Sequence, residues 1–382
     1  MATPELPLSL YLHFPWCVRK CPYCDFNSHA LRGEMPEDAY VDALLRDLDF
    51  ELTQYPEARP LHSIFMGGGT PSLFSGAAIG RLLREVRERL AFAPDIEITM
   101  EANPGTVDEA HFAGYRAAGV NRLSIGVQSL DATALKALGR IHDPSQARRA
   151  VQVARAAGFD NLNLDLMYAL PAQTVAAAET DLQALIDLAP DHISYYQLTL
   201  EPNTEFAARP PALPDDDAAW QMQEQGQRLL AAHGYAQYEV SAYARAGRRS
   251  RHNLNYWQFG DYLGIGAGAH GKRTQDAVIA RRARHKHPRR YLDAAGGDAA
   301  LQEHREVPPA DRPFEYLMNA LRLNQGFAEA DYERRTGLPL APLRPALVRA
   351  RDDGLLLGDA SGWWASPLGL RHLNGLLTRF LD

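Results

Sequence analysis

Six short runs rich in β-branched, aromatic and other apolar residues punctuate the first half of the chain: Leu8–Phe14, His62–Met66, Ile96–Met100, Arg122–Val127, Asn161–Met167 and His192–Leu200. Between them, apolar residues recur at helical spacing in Ala39–Leu52, Ala77–Leu90, Asp108–Ala118, Asp131–Leu138, Ser145–Ala157 and Ala176–Leu188. Strands alternating with helices predict an α/β chain of parallel βα units. Right-handed crossovers would curl six such units into a partial, TIM-like (β/α)6 barrel. A Pro-rich stretch at 202–214 and a helix at Ala218–His233 come next, then YEVSAY at Tyr238–Tyr243. From Asp311 the pattern becomes three amphipathic helices, a hairpin in LLLGDASGWWAS and a last helix. That order predicts a small C-terminal, winged-helix-like domain packed over the barrel mouth. The expected divisions are 1–235, 236–310 and 311–382.

The candidate chemistry lies just past the strand ends. Cysteines come after the first strand, Gly67-Gly68-Gly69-Thr70-Pro71 after the second and Glu101-Ala102-Asn103-Pro104 after the third. The fourth ends in Gln128-Ser129, and the fifth carries Asp165 near its end. Taken singly, these residues suit a turn, a helix cap or a satisfied amide. A carboxylate inside an apolar strand, however, needs a partner. In parallel barrels the residues at strand C-termini converge on one mouth, so their recurrence there predicts a single cavity.

The only three cysteines, Cys17, Cys21 and Cys24, fall in a C-x3-C-x2-C run. An odd, clustered set is no disulfide framework. Three thiolates on one loop leave a fourth position open. Zinc completed by His13 or His29 is one reading, and a [4Fe–4S] cluster with one free iron is the other. The remaining composition sets limits. The 382 residues carry 40 Lys+Arg against 47 Asp+Glu, a net charge of −7, with 46% hydrophobic residues. This excludes a disordered chain and a fibrous repeat, and it argues against broad nucleic-acid binding. In 311–382 nine Arg balance nine Asp+Glu, so DNA binding gains no support there. No apolar run is long enough for a membrane span, and MATPELPLSLYLHF lacks the basic-then-apolar pattern of a leader. Peripheral membrane association through partners is the most to expect.

With Tyr23 before the last cysteine, Cys17-x3-Cys21-x2-Cys24 resembles the radical S-adenosylmethionine (SAM) signature. The wider frame YLHFPWCVRKCPYCDF, FMGGGTPS, MEANPG, SIGVQS and NLDLMYALP resembles the oxygen-independent coproporphyrinogen III oxidase group. The oxidases carry a further Cys two positions after the third ligand and a longer N-terminal extension. Here that position is Phe26, and ten residues precede Tyr11. His252-Asn253-Leu254-Asn255-Tyr256-Trp257 matches the HNxxYW motif of the haem-chaperone members of the group. The resemblance implies a [4Fe–4S] cluster on the three cysteines. It implies SAM contacts at Tyr11, Gly68, Gly69, Thr70, Glu101, Gln128, Arg140 and Asp165, the later ones serving a second SAM in the oxidases. Cluster-driven C–S cleavage of SAM to a 5′-deoxyadenosyl radical is the family's chemistry. Gly67–Thr70 would meet the methionine part where a Cβ would block approach.

The resemblance also implies that haem is bound, with His252 as axial ligand or covalent anchor, and passed to haem-dependent proteins. Asn253 would fix the imidazole tautomer, and Tyr256 and Trp257 would offer flat apolar faces. His270, in the glycine-rich loop Gly264–Gly271, is the rival ligand. Oxidative decarboxylation of coproporphyrinogen III is the alternative function. An electron donor for the cluster and a reducing, cytoplasmic setting complete the expectation. Lys272–Arg290, with eight Lys/Arg and one acidic residue, reads as a solvated loop or as a site for haem propionates.

Overall fold

The structure is a computed structural model describing residues 6–106 and 108–381. Residues 1–5, part of the stretch expected to lack a leader pattern, lie outside the described residues. The strands in chain order are β1 (Leu8–Phe14), β2 (Trp16–Cys17), β3 (His29–Ala30), β4 (Leu61–Gly68), β5 (Phe92–Ala102), β6 (Arg122–Gln128), β7 (Leu162–Tyr168) and β8 (His192–Gln197). β1 and β4 to β8 pair in parallel and in sequence order, each joined to the next through helices, as the alternation predicted. These six strands form the partial (β/α)6 barrel. β9 (Ala236–Glu239) and β10 (Ala242–Ala244) extend it antiparallel beyond β8. Beyond β1 lies β11 (Asp261–Ile265), parallel to it, and then antiparallel β12 (His270–Gln275), β13 (Val278–Arg284) and β14 (Leu301–Glu306).

The period of two along each strand divides the barrel wall. Leu8, Leu10, Leu12 and Phe14 are fully buried and share one core with Tyr40, Leu44 and Leu48 of the helix Glu37–Gln54. Ser9 faces the other way and meets Ser63 Oγ of β4 at 2.7 Å. Continuing round the inner face are Glu97, Thr99 and Glu101 of β5, Arg122 and Ser124 of β6, Asn163 and Asp165 of β7, and His192 and Ser194 of β8. Barrel interiors are usually filled with branched apolar side chains. This one is polar because it is a ligand-sized cavity rather than a packed core.

The helix Arg251–Trp257, which is the HNLNYW segment, closes the barrel at the N-terminal ends of β1, β4 and β5. Its Ser250 cap accepts from Asn253 N–H, and Glu97 accepts the backbone N–H groups of Arg251 and His252. Asn255 donates to Ser9 Oγ and to the Asp261 carbonyl.

The C-terminal part has its own apolar core, built from the helices Arg312–Ala320, Glu329–Thr336 and Arg344–Asp352 with the hairpin β15 (Leu356–Asp359) and β16 (Gly362–Ala365). It packs at the closed end of the barrel, not over the mouth as the sequence suggested. Arg322 lies 4.3 Å over the Trp257 ring and pairs with Glu239, and Tyr316 packs edge-on to Phe259. As far as Arg284 the basic stretch is not a solvated loop either, but the hairpin β12–β13, while Lys286, Arg289 and Arg290 beyond it are exposed. Lys272, Arg273, Arg282 and Arg284 are buried and pair with Asp261, Glu57, Glu51 and Asp47. Four cations can be buried there because the helix Glu37–Gln54, Glu57 just after it and the strand β11 supply the carboxylates, a feature no local sequence pattern displays.

Candidate functional site

The cysteine loop is held by backbone bonds at both ends. β2 and β3 pair in parallel, His29 N–H donates to the Pro15 carbonyl, and Leu31 N–H to that of Cys17. Phe206 N–H, from beyond β8, donates to the Pro22 carbonyl. All three thiols line one cavity of about 470 Å3, in the size range of small-molecule sites. Each has a hydrogen-bond partner: Thr70 Oγ1 to Cys17 Sγ at 3.4 Å, Arg140 Nη1 to Cys21 Sγ at 3.6 Å, and Ser28 Oγ with Cys24 Sγ at 3.9 Å. Burial pushes the Cys17 and Cys24 thiols up, and the Thr70 hydroxyl and the Phe26 N–H respectively oppose it.

The donor set is three thiols on one cavity wall with both nearby imidazoles engaged elsewhere, which fits a group held by three protein thiolates with one position left open, as in a [4Fe–4S] cluster of this kind. His13 is no free fourth ligand, since its nitrogens contact the Tyr11 hydroxyl at 3.0 Å and the Asn27 carbonyl at 2.8 Å. His29 Nε2 faces Asn27 Oδ1 and the Lys286 carbonyl.

The glycine edge sits against this loop. Gly69 N–H donates to the Phe14 carbonyl and Thr70 N–H to that of Trp16, both at 2.7 Å. A Cβ on Gly69 would stand 2.5 Å from the Trp16 carbonyl oxygen. Gly68 has φ +113°, and a Cβ there would reach 2.5 Å from the His13 ring. The glycines are thus required by the close approach of the protein's own backbone and His13, whatever ligand lies beyond.

Glu101, Gln128, Arg140 and Asp165 line the same cavity, with Gly68, Gly69 and Thr70. Burial, then the facing Asp165, raise the Glu101 carboxyl to about 8, against the pull of the Gly68 N–H. Burial also raises Asp165, which Asn163, Arg122 and Arg140 pull back. Gln128 takes a left-handed φ of +67° where β6 slips register against β7, and its Oε1 accepts from the Tyr196 hydroxyl at 2.7 Å. Arg140 also donates to the Gly126 carbonyl at 2.8 Å. Tyr11 stands behind the lining with its hydroxyl on His13.

His252 lies at the closed end, 1% exposed. Its Nδ1 contacts Ser63 Oγ at 3.0 Å and its Nε2 the Tyr256 hydroxyl at 2.9 Å, and burial followed by the Arg122 charge lowers its pKa to about 3. Asn253, not His252, reaches the cavity. Trp257 turns away beneath Arg322. His270 is exposed at the start of β12. Arg122, Asn163, His192, Ser194 and Tyr196 also line the cavity, and none of them was expected there from the sequence. The signal was available: Arg122, Ser124 and Gly126 share the inward face of β6 at every second position.

A polar-lined parallel barrel with three thiols at its mouth beside a glycine edge defines the class of radical SAM proteins. A family profile for the Radical SAM superfamily matches residues 11–185, and one for the HemN C-terminal domain matches 307–372. The chain is 52% identical to heme chaperone HemW of Escherichia coli K12 over 98% of both chains, and 50% identical to that of Haemophilus influenzae Rd over 99% of both. The solved structure of the Escherichia coli coproporphyrinogen III oxidase HemN superposes with a TM-score of 0.81 at 25% identity, covering 99% of this chain and 91% of that one. The chain belongs to the HemW family.

Proposed function

We propose that the protein is a haem chaperone, binding haem and transferring it to haem-dependent proteins, with a [4Fe–4S] cluster and SAM at the barrel mouth. The observation that carries this reading is full-length kinship, at 52% identity, with a protein named heme chaperone HemW. Cys17, Cys21 and Cys24 would hold the cluster. Gly68, Gly69, Thr70, Glu101, Gln128, Arg140 and Asp165 would surround SAM, with Tyr11 bracing the edge through His13. When bound, these groups supply one-electron reductive chemistry. The chain's own contribution is positional: backbone bonds from Gly69 and Thr70 fix the loop, Arg140 places positive charge beside Cys21, and carboxylates accept hydroxyl hydrogen bonds. Free thiols of this kind suit a reducing compartment such as the cytoplasm. Among the described residues no helix is long and apolar enough to cross a membrane.

Haem is assigned to the HNLNYW segment, with His252 as ligand. Its low pKa keeps the imidazole neutral, which iron ligation requires. For this, Tyr256 must release Nε2 and the segment must shift to bring His252 to the cavity, which Asn253 alone of the segment reaches in this structure. The test mixes haem-loaded protein with an excess of an apo-haem protein and, separately, supplies reduced, SAM-loaded protein with coproporphyrinogen III. Haem should move to the acceptor, and coproporphyrinogen should persist. Retained haem, or decarboxylated product, would overturn the reading.

A further inference from the structure

Arg122 is among the largest fully buried side chains, at 2% exposed, and it lines the cavity. A buried guanidinium is normally matched by a carboxylate or by several acceptors. The buried hairpin arginines are so matched, Arg284 by Asp47 and Glu51 and Arg282 by Glu51. Arg140 has its carbonyl and its thiol. Among the described residues nothing accepts from the Arg122 guanidinium, and its Nε is orphaned.

The surrounding polar groups are already committed to one another. Asn163 donates to Ser124 Oγ and Asp165 Oδ1, both at 2.8 Å, and accepts from Ser194 Oγ at 3.1 Å. His192 contacts Asn163 Oδ1 at 2.6 Å and the Tyr238 hydroxyl at 2.8 Å. Arg122 is also deep. It opens β6, whose other end is Gln128, six residues and so about 20 Å along the strand. Its charge is felt at the closed end, where it disfavours protonation of His192 and His252.

We infer that the deep end of the cavity is a carboxylate-binding subsite, with Arg122 as its cation and Asn253 in its wall, for a carboxylate-bearing molecule that extends toward the SAM edge. The charge count selects a carboxylate over a phosphate. The Arg122 charge, which Asp165 already draws on, balances at most one further negative charge, whereas a dianion would bring a second, unmatched charge beside Asp165. A carboxylate also matches the fork of the guanidinium. The subsite rests on the reading that SAM occupies the mouth of this cavity.

The probe is propionate, observed by saturation-transfer NMR with the full-length chain, with phosphate as competitor. The parent should show a saturable signal that acetate displaces and phosphate displaces more weakly. Arg122→Gln should weaken it about tenfold or more, the effect of losing a charge-assisted pair, and Arg122→Lys should restore part of it. Asn253→Leu keeps the cation but fills the wall, and it should lower the signal even if Arg122→Gln fails to fold. SAM affinity of the reconstituted parent is measured alongside by equilibrium dialysis. No propionate signal in the parent, or equal signals in the parent and in whichever variants fold, overturns the subsite. Stronger displacement by phosphate overturns the assignment to carboxylates. Loss of SAM binding in the parent strikes the mouth reading instead.

Discussion

Glu101 and Asp165 face each other in a cavity walled by protein, and the Glu101 carboxyl rises to about 8 for that reason. Between its ordinary value near 4.5 and about 8, the folded chain holds a proton that the unfolded chain has released, so stability falls as pH rises through that range and levels above it. The histidines act oppositely. His13 and His142 are held down to about 4 and His252 to about 3, so below their ordinary 6.5 the unfolded chain binds protons that the folded chain refuses. Cluster-free protein should therefore be most stable near pH 6.5. From there to pH 8 it should lose at most about 1.4 kcal/mol per pH unit to Glu101. In Glu101→Gln, denaturant melts across pH 6.5–8.5 should lose most of that slope, and an unchanged slope would contradict the burial of this carboxyl. At this scale the sequence was legible where chemistry needs a rare residue in tight spacing, as at Cys17, Cys21 and Cys24. It was silent at Arg122, because an arginine at a strand start looks like a solvent-facing end until the barrel curls around it.

The six strands of the barrel were readable because their apolar residues alternate with small polar ones while the intervening helices repeat at helical spacing. Their ends moved by a few residues where pairing, not propensity, sets the limit: β5 starts at Phe92 rather than Ile96 because Phe92 pairs with Leu61. The HNLNYW segment was legible as a motif but not as a plug, since only the fold shows Glu97, Ser9 and Ser63 waiting beneath it. The glycine edge yields a prediction at this scale. Gly69→Ala should lose the reconstituted [4Fe–4S] absorbance along with SAM binding, because its Cβ would force apart the backbone bonds that seat Cys17. Anaerobic reconstitution with iron and sulfide counts checks this. A variant with full cluster and no SAM affinity would show that the glycine serves only the ligand.

Across the whole molecule, one cavity runs from the cysteine loop to Asn253, so the mouth and the HNLNYW plug share a single space. The C-terminal core braces the plug from outside, through Arg322 on Trp257 and Tyr316 on Phe259. Its place at the closed end was hidden from the sequence, because balanced surface charge and an amphipathic helix do not say which end of a barrel they face. The bracing holds the plug ordered in the chain as it stands, and on the haem assignment proposed above the Tyr256–His252 bond is the one that would be released. The most direct test of the haem assignment is a titration of anaerobically reconstituted protein with haem, monitored at the Soret band beside His252→Ala and His270→Ala. With His252 as the ligand, the parent and His270→Ala should saturate at one haem per chain, and His252→Ala should show a lost or shifted band. An unaltered Soret band and stoichiometry in His252→Ala, with both lost in His270→Ala, would contradict it.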